Sequence, residues 1–291
     1  MSDVEYELDE RVARVTLNRP GRGNGITRQL LVELEQCIER AELDSAVHVI
    51  LLSGNGKGFC GGYDLVEYAE GEIPNHDPAQ PWDPMLDYTW MNRNVRAFMS
   101  LFDCTKPVLC KVHGFCVAGG TDMALCSDLL VIAENAKIGY PPARVWGSPT
   151  TSLWAYRVGA QRAKRLLFTG DCLSGAEARE WDLAIEAPPA SELDERADAL
   201  AWRIAQVPVN QLQMMKLLVN QSLYAQGLHA TQLVGTVFDG IARHTKEGYA
   251  FQQLAMRSGF KEAVRQRDEP FANPPARPQG APGRTAASSS G

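Results

Sequence analysis

Two glycine-rich turns are the segments of this sequence whose residue types and spacing could do chemistry. The first lies in G-N-G-K-G-F-C-G-G-Y-D at 54–64 and the second in G-F-C-V-A-G-G-T-D at 114–122. Each follows an apolar run typical of a buried strand, so each lies where a strand's carboxyl end opens into a crevice. Because glycine lacks a Cβ atom, the backbone there can adopt positive φ and let a ligand atom approach its N–H groups.

One backbone amide from each turn, aimed at a single point, would stabilise a developing oxyanion. Loss of one such donor typically costs about 3 kcal/mol of transition-state stabilisation. A helix that begins near Gly120 would strengthen the effect, because the amides of its first turn have no intrahelical partner and lie at the positive end of the helix dipole. The alternative is that both turns serve only to reverse the chain.

The elements that must position these turns follow from hydrophobic periodicity. Alternating residues predict a hairpin from 4–8 and 12–17, and apolar runs predict buried strands at 46–53, 107–112 and 128–133. Helical spacing predicts one helix after an N-cap at Thr27 and others at 85–102, 149–167, 175–181, 191–205, 210–223 and 231–256.

Three regions are predicted from this layout. Residues 1–200 form an α/β core and 201–268 a helical region, whereas 269–291 is a disordered tail whose Pro, Gly, Ala and Ser leave little to bury. Within the core, the Pro- and Asp-rich stretch 74–84 is typical of a mobile surface loop.

Composition excludes several classes of protein. The 291 residues are 45% hydrophobic and carry a net charge of −6, which disfavours nonspecific nucleic-acid binding. No apolar run is long enough to span a membrane, and the start lacks the pattern of a secretory signal. Seven scattered cysteines predict a reduced, cytoplasmic protein, and no cluster of His, Cys and Asp has the spacing of a metal site.

Four linked motifs resemble the crotonase superfamily, also called the enoyl-CoA hydratase/isomerase family. They are L-N-R-P-G-R-G-N-G-I at 17–26, G-K-G-F-C-G-G-Y-D-L at 56–65, K-P-V-L-C-K-V-H-G-F-C-V-A-G-G-T-D-M-A-L-C-S-D at 106–128, and A-x-I-G with its prolines at 136–142. The resemblance implies an α/β fold, a ClpP/crotonase-like spiral of β-β-α units with a C-terminal helical oligomerisation region. It also implies homotrimers or dimers of trimers, an acyl-CoA substrate, and no cofactor apart from coenzyme A as part of that substrate.

The resemblance also implies which residues form the site. It places the oxyanion amides at Gly61 and Gly119 and puts coenzyme A near Arg22. The predicted contacts with substrate or coenzyme A are Arg22, Phe59, Cys60, Gly62, Tyr63, Asp64, Tyr68, Gly120 and Trp146. Large apolar residues that follow the two motifs, at 82–91 and at 146 and 154, predict a pocket for a bulky acyl chain, or else core and interface packing.

Proton transfer is the point at which this sequence departs from the family. Family hydratases use two glutamates, one in the second glycine turn and one just after a proline that follows the next strand. This sequence has Asp122 at the first position and Pro142 or Ala143 at the second. We therefore predict Asp122 as the acid/base group, with helix bracing as its alternative role, and Tyr140 as a possible donor.

A single carboxylate favours a double-bond shift or a related lyase reaction over standard hydration. The predicted function is an acyl-CoA-processing enzyme that stabilises a thioester enolate, as in fatty acid metabolism. One alternative is a β-diketone C–C hydrolase, which the lack of a histidine in the turns other than His113 weakens. The other alternative is a non-catalytic binding protein with the crotonase fold.

Overall fold

The computed structural model describes residues 2–70 and 75–272. The strands are β1 (Val4–Asp9), β2 (Val12–Leu17), β3 (Val49–Gly54), β4 (Val108–Val112), β5 (Phe115–Val117), β6 (Leu129–Ile132), β7 (Lys137–Gly139) and β8 (Cys172–Ser174). The α-helices are α1 (Arg28–Leu43), α2 (Pro84–Asp103), α3 (Gly119–Leu125), α4 (Trp154–Thr169), α5 (Gly175–Glu180), α6 (Leu193–Ala205), α7 (Val209–Ala225), α8 (Leu228–Arg243), α9 (Lys246–Ser258) and α10 (Phe260–Ala272). Within the described ranges, none of these helices combines the length and apolar character needed to cross a bilayer.

Two sheets carry the glycine turns. The larger sheet has the order β1-β2-β3-β4-β6, with an antiparallel hairpin at β1–β2 and parallel pairing elsewhere. The smaller sheet has the order β5-β7-β8. The first turn follows β3 and the second follows β5, a short strand that the sequence did not predict. The predicted hairpin, the buried strands and the α/β fold are confirmed.

Local signals explain several of the helix starts. The Thr27 side chain accepts a hydrogen bond from Leu30 N and caps α1, as predicted. At α5, Ser174 and Glu177 form a reciprocal capping box. The predicted helix at 149–167 begins only at Trp154, because Ser152 has a φ of 56°, which a helix cannot accommodate.

The C-terminal region differs from the prediction in two places. The single helix predicted at 231–256 is two helices, because Thr245 caps α9 by accepting from Gly248 N at 3.0 Å. The predicted tail boundary at 269 is wrong, because α10 continues to Ala272. Residues 273–291 of the predicted tail lie outside the described residues, as do residues 71–74 next to the predicted loop.

A buried ion pair ties the helical region to the core. Lys216 of α7 has a side chain that is only 3% exposed, and its Nζ lies 2.9 Å from Asp128 Oδ2. The same ammonium donates to the carbonyls of Leu101 and Lys106, each at 2.9 Å. Asp128 also accepts from Val108 N at 2.7 Å, so it braces the start of β6 against β4.

Replacing Lys216 with methionine should lower the free energy of unfolding by about 3 kcal/mol, because it leaves Asp128 without its cation and two carbonyls without a donor. Urea denaturation measures this change. Lys111→Met is the matched control, because its partner Asp194 is 81% exposed and such surface pairs contribute about 0–1 kcal/mol. Equal losses in the two variants would contradict a structural role for the buried pair.

Candidate active site

A cavity of about 600 Å³ lies between the two glycine turns, the segment after β7, and helices α8 to α10. Most of the predicted site residues line it: Arg22, Gly61, Gly62, Tyr63, Asp64, Tyr68, Gly119, Tyr140 and Trp146. Phe59, Cys60, Gly120 and Asp122 are not among its lining residues. Met91, from the stretch expected at the acyl pocket, lines it too. Residues that the sequence did not predict also line it: Asp239, Arg243, Phe251, Lys261 and Arg267.

The first turn offers one uncommitted amide, and it is not the predicted one. Gly61 N donates to Gly23 O at 2.9 Å, and Asp64 N donates to Ile26 O at 3.0 Å. Gly62 N is directed at the Cys60 sulfur. Among residues 61–64, only the Tyr63 amide has no hydrogen-bond partner within the described residues. It points away from Ile26, which pairs with Tyr63 on the opposite side of the chain. The prediction of Gly61 as oxyanion donor is therefore wrong, because its N–H is already used.

The second turn offers the Gly119 amide. Gly119 begins α3, and no acceptor within the described part of the chain lies against its N–H. Its N-cap, Ala118, has a φ of 54°, a strained conformation for alanine that places the turn against the first one. A helix N-terminus at this point concentrates unpartnered amides and positive potential.

The two turns are in direct contact. Gly62 has a φ of 91°, and a Cβ built there would lie 2.6 Å from the Ala118 Cβ and 3.3 Å from Gly119 N. The two turns are too close for a side chain to lie between them. The Tyr63 and Gly119 amides therefore lie in adjacent parts of the cavity wall. An oxyanion hole requires two such backbone amides near each other in a cavity wall.

The predicted contacts at Phe59, Cys60 and Gly120 are corrected to packing roles. A Cβ at Gly120 would lie 2.6 Å from Cys60 O, so this glycine lets α3 pack on the first turn. The Cys60 thiol donates to Asn24 O at 3.1 Å, and Asn24 Nδ2 donates to Phe59 O at 2.9 Å. Phe59 and Cys60 have no exposed surface. They support the first turn from its buried side, and their side chains do not face the cavity.

Cations surround the cavity entrance. Arg22 is 48% exposed and pairs with Asp64 at 2.8 Å, while Arg19 pairs with the same carboxylate at 3.1 Å. Burial raises the pKa of Asp64, but the hydrogen bonds from the two arginines outweigh it and hold the pKa below its ordinary value. Lys261 and Arg267 of α10 line the same cavity. Since α10 was not predicted, the sequence analysis missed these two cations.

Asp122 is buried beneath the second turn. Its side chain lies in α3 with 1% of the residue exposed, and its Oδ1 accepts from the Thr151 hydroxyl at 2.7 Å and the Thr151 amide at 3.1 Å. Its Oδ2 has no hydrogen-bond partner among the described residues. Burial raises the pKa of Asp122 to about 7, against the lowering effect of Thr151. The carboxylate is thus poised to titrate near neutrality, although it does not line the cavity.

Tyr140 is held in place by its hydroxyl. That group donates to Ser148 O at 2.8 Å, and burial raises the pKa of the phenol well above its ordinary value, so it remains protonated. Tyr63 and Trp146 line the apolar side of the cavity, where Trp146 packs on Phe251 with ring centroids 5.1 Å apart. Of the other large residues expected at the acyl pocket, Trp154 is in the core and Trp82 stacks on His244.

A carboxylate–arginine cluster that the sequence analysis missed reaches the cavity from α8. Asp239 Oδ2 accepts from Arg243 Nε at 3.0 Å, and Asp239 Oδ1 accepts from Ser148 N at 3.2 Å. Arg243 also forms a bidentate pair with Asp87 of α2. The spacing of four between Asp239 and Arg243 on one helix was a signal, because such residues lie on the same helical face.

Metal-ligand clusters and His113 can also be compared with the lining of this cavity. Across residues 2–70 and 75–272, no cluster of three or more His, Cys, Asp or Glu side chains has the arrangement of a metal site. His113 is not a lining residue of the cavity, and its ring nitrogen contacts Gly56 O at 2.9 Å.

Comparisons with known proteins identify the family to which the chain belongs. The sequence model of the family described as enoyl-CoA hydratase/isomerase matches residues 7–255. A crystal structure of an enoyl-CoA hydratase from Mycobacterium smegmatis is 56% identical, with a TM-score of 0.88, and the match covers 92% of this chain and 94% of that one. Among relatives in Escherichia coli K12, 1,2-epoxyphenylacetyl-CoA isomerase is 30% identical and 2,3-dehydroadipyl-CoA hydratase 28%. In both, the match covers 76% of this chain and 83% of the relative.

Proposed function

Since the chain belongs to the enoyl-CoA hydratase/isomerase family, we propose that it binds an acyl-CoA thioester and stabilises the enolate of its carbonyl. The observation that carries the proposal is the pair of unpartnered amides, Tyr63 N and Gly119 N, on two turns in contact at the cavity wall. Amides fixed in this way lose little energy to reorganisation when charge develops on the oxygen.

The cavity suits the two ends of such a substrate. Its entrance carries the cations Arg22 and Lys261, which can meet the phosphates of coenzyme A. Its interior is lined by Tyr63, Trp146 and Phe251, which offer an apolar surface to the acyl chain. Coenzyme A thus enters as part of the substrate, and the proposal requires no separate cofactor.

We further propose Asp122 as the acid/base group, with isomerase or related lyase chemistry favoured over standard hydration. The support for Asp122 is its raised pKa and its uncommitted Oδ2. The preference among reactions rests on positions 142 and 143, where proline and alanine stand in place of a carboxylate. Addition of water calls for an acid and a base, whereas a double-bond shift needs one group that moves a proton.

Proton exchange at the carbon beside the thioester tests the enolate directly. Incubation of the protein with butyryl-CoA and octanoyl-CoA in D₂O should introduce deuterium at that carbon, measured by mass spectrometry. A panel of 2-enoyl-CoA and 3-enoyl-CoA esters then separates isomerisation from hydration by the products. Binding of these esters without exchange would support a non-catalytic protein, and cleavage of a β-diketone without coenzyme A would support the hydrolase alternative.

Assembly is the second part of the proposal. On α7 and α8, apolar side chains lie exposed in one chain: Met214, Met215, Leu217, Leu218, Val219, Leu233, Val234, Val237, Phe238 and Ile241. A surface of this kind is typical of a subunit interface. We propose that it joins copies of this chain into a trimer or a dimer of trimers, as the family resemblance implies.

Leu218→Glu should break this assembly, because it places a charge within the apolar surface, where Leu218 is 66% exposed in a single chain. Light scattering after size exclusion should give the subunit mass of 32.0 kDa for the variant and a multiple of three subunits for the wild type. Phe168→Glu on α4 is the control, because Phe168 is 80% exposed but lies outside this surface. A wild type that elutes as a monomer would contradict the proposal.

A further inference from the structure

Helix α8 has polar side chains on its buried face and apolar side chains on its exposed face. This is the reverse of the usual pattern for a helix on the surface of a monomer. Its inward face carries polar side chains, Gln232, Thr236, Asp239 and Arg243, at spacings of four, three and four residues. Its outward face is the apolar surface described above. Burying polar groups costs free energy unless they are hydrogen-bonded, so a buried polar stripe needs a reason beyond packing.

Asp239 lies at the place where the chain lacks a second carboxylate. A Cβ built on Gly147 would lie 3.0 Å from the Pro142 Cβ, 3.5 Å from the Tyr140 hydroxyl and 3.7 Å from Asp239 Oδ1. These three atoms therefore surround one point on the cavity wall. Pro142 or Ala143 is the position at which family hydratases carry a glutamate, and here the neighbouring carboxylate comes from α8 instead.

The surroundings of Asp239 hold its carboxylate in place and leave it facing the cavity. Arg243 binds one oxygen and Ser148 N the other, while Asp87 compensates the remaining charge of Arg243 from α2. Burial raises the pKa of Asp239, with Arg243 acting in the opposite direction. Asp239 lines the cavity, whereas Asp122 does not.

We propose that Asp239 is a further catalytic residue, the carboxylate that exchanges a proton with the substrate carbon beside the thioester, in place of the glutamate missing at position 142. This inference rests on the proposed enolate-forming function. With Asp239 in this position, the site has a second carboxylate, so the residues at 142 and 143 no longer argue against addition of water.

The step is balanced without any further reactant. The Asp239 carboxylate takes a proton from the carbon beside the carbonyl, and the electron pair of that C–H bond becomes the C=C bond of the enolate. The carbonyl oxygen takes the negative charge opposite the Tyr63 and Gly119 amides. The carboxylic acid then exchanges its proton with solvent and returns a proton or deuteron to the same carbon.

Deuterium exchange into octanoyl-CoA tests the inference with matched variants. Asp239→Asn should lower the exchange rate by about 10²-fold or more, the usual contribution of a general base, while octanoyl-CoA binding measured by calorimetry stays within about threefold. Asp87→Asn is the control, because Asp87 pairs with the same arginine but does not line the cavity. Its exchange rate should fall much less than that of Asp239→Asn, because the Asp239 carboxylate is still present.

The outcomes separate this inference from the proposed function. No exchange by the wild-type protein would count against the proposed function itself. Exchange by the wild type that survives in a folded Asp239→Asn variant would overturn the role of Asp239. Loss of binding together with exchange, or an equal loss in Asp87→Asn, would also overturn it, in favour of a structural role. If Asp239→Asn does not melt cooperatively, Asp239→Ser removes the carboxylate without placing an amide against Arg243 and is judged by the same criteria.

Discussion

Replacing Gly62 with alanine should reduce turnover by about 10²–10³-fold, the loss expected when an oxyanion donor is displaced. The new methyl group would lie 2.6 Å from the Ala118 Cβ and 3.3 Å from Gly119 N, so the two turns must separate. The φ of 91° at this position adds strain of about 1–2 kcal/mol for any residue with a Cβ. Thioester turnover or deuterium exchange, measured with the melting temperature, gives the result.

Gly61→Ala is the matched control in the same turn. A Cβ there would meet Gly23 O at 3.4 Å and Phe115 at 3.7 Å, which are ordinary contacts. Since the Gly61 amide already donates to Gly23 O, this variant should keep its turnover within about fivefold of the wild type. If the effects of the two variants were reversed, the oxyanion hole would have to include Gly61 after all.

Asp122→Asn should lower turnover by about 10²–10⁴-fold, the range for removal of an acid/base group. Asparagine keeps the oxygen that accepts from Thr151, so the position of α3 should be retained. Binding of octanoyl-CoA should be nearly unchanged, because Asp122 is not a cavity-lining residue. A variant with the wild-type rate would remove Asp122 from the mechanism and leave Asp239 as the cavity's proton carrier.

The same variant should gain stability at alkaline pH. The folded pKa of Asp122 is raised to about 7 from an ordinary value of 3.8, so the folded state holds a proton that the unfolded state has released. The free energy of unfolding should therefore fall as the pH rises from about 4 to about 7, by as much as about 4 kcal/mol for this group. Asp122→Asn should abolish that part of the pH dependence and melt higher than the wild type at pH 8. Parallel pH profiles of melting for the two proteins would contradict the raised pKa.

Local patterns were enough to predict the parts of the fold whose signals are local. The apolar run at 107–112 identifies β4, and the Thr27 cap with apolar residues at helical spacing identifies α1. Local patterns do not predict the helix boundaries that depend on tertiary contacts. The helix predicted at 149–167 starts late, because Ser152 has a positive φ, and the adjacent Thr151 is bound to Asp122, which is 29 residues away in the sequence.

The site, like the fold, was predicted only where local sequence patterns determine it. Motif spacing located both turns and the Gly119 amide. The choice between Gly61 and Tyr63 depended on which amides were already used by Gly23 and Ile26, and these partners are distant in sequence. Asp239 was missed because it stands more than a hundred residues from either turn and is brought there by α8, whose polar stripe was not recognised as an inward face.

Helix α8 has a consequence for how the enzyme should respond to dilution. Asp239 faces the cavity from the same helix that presents Val237, Phe238 and Ile241 to solvent in a single chain. If neighbouring copies cover those three side chains, the helix that holds the proposed proton carrier is fixed in part by its neighbours. Specific activity should then fall at low enzyme concentration, in step with dissociation, before any secondary structure is lost.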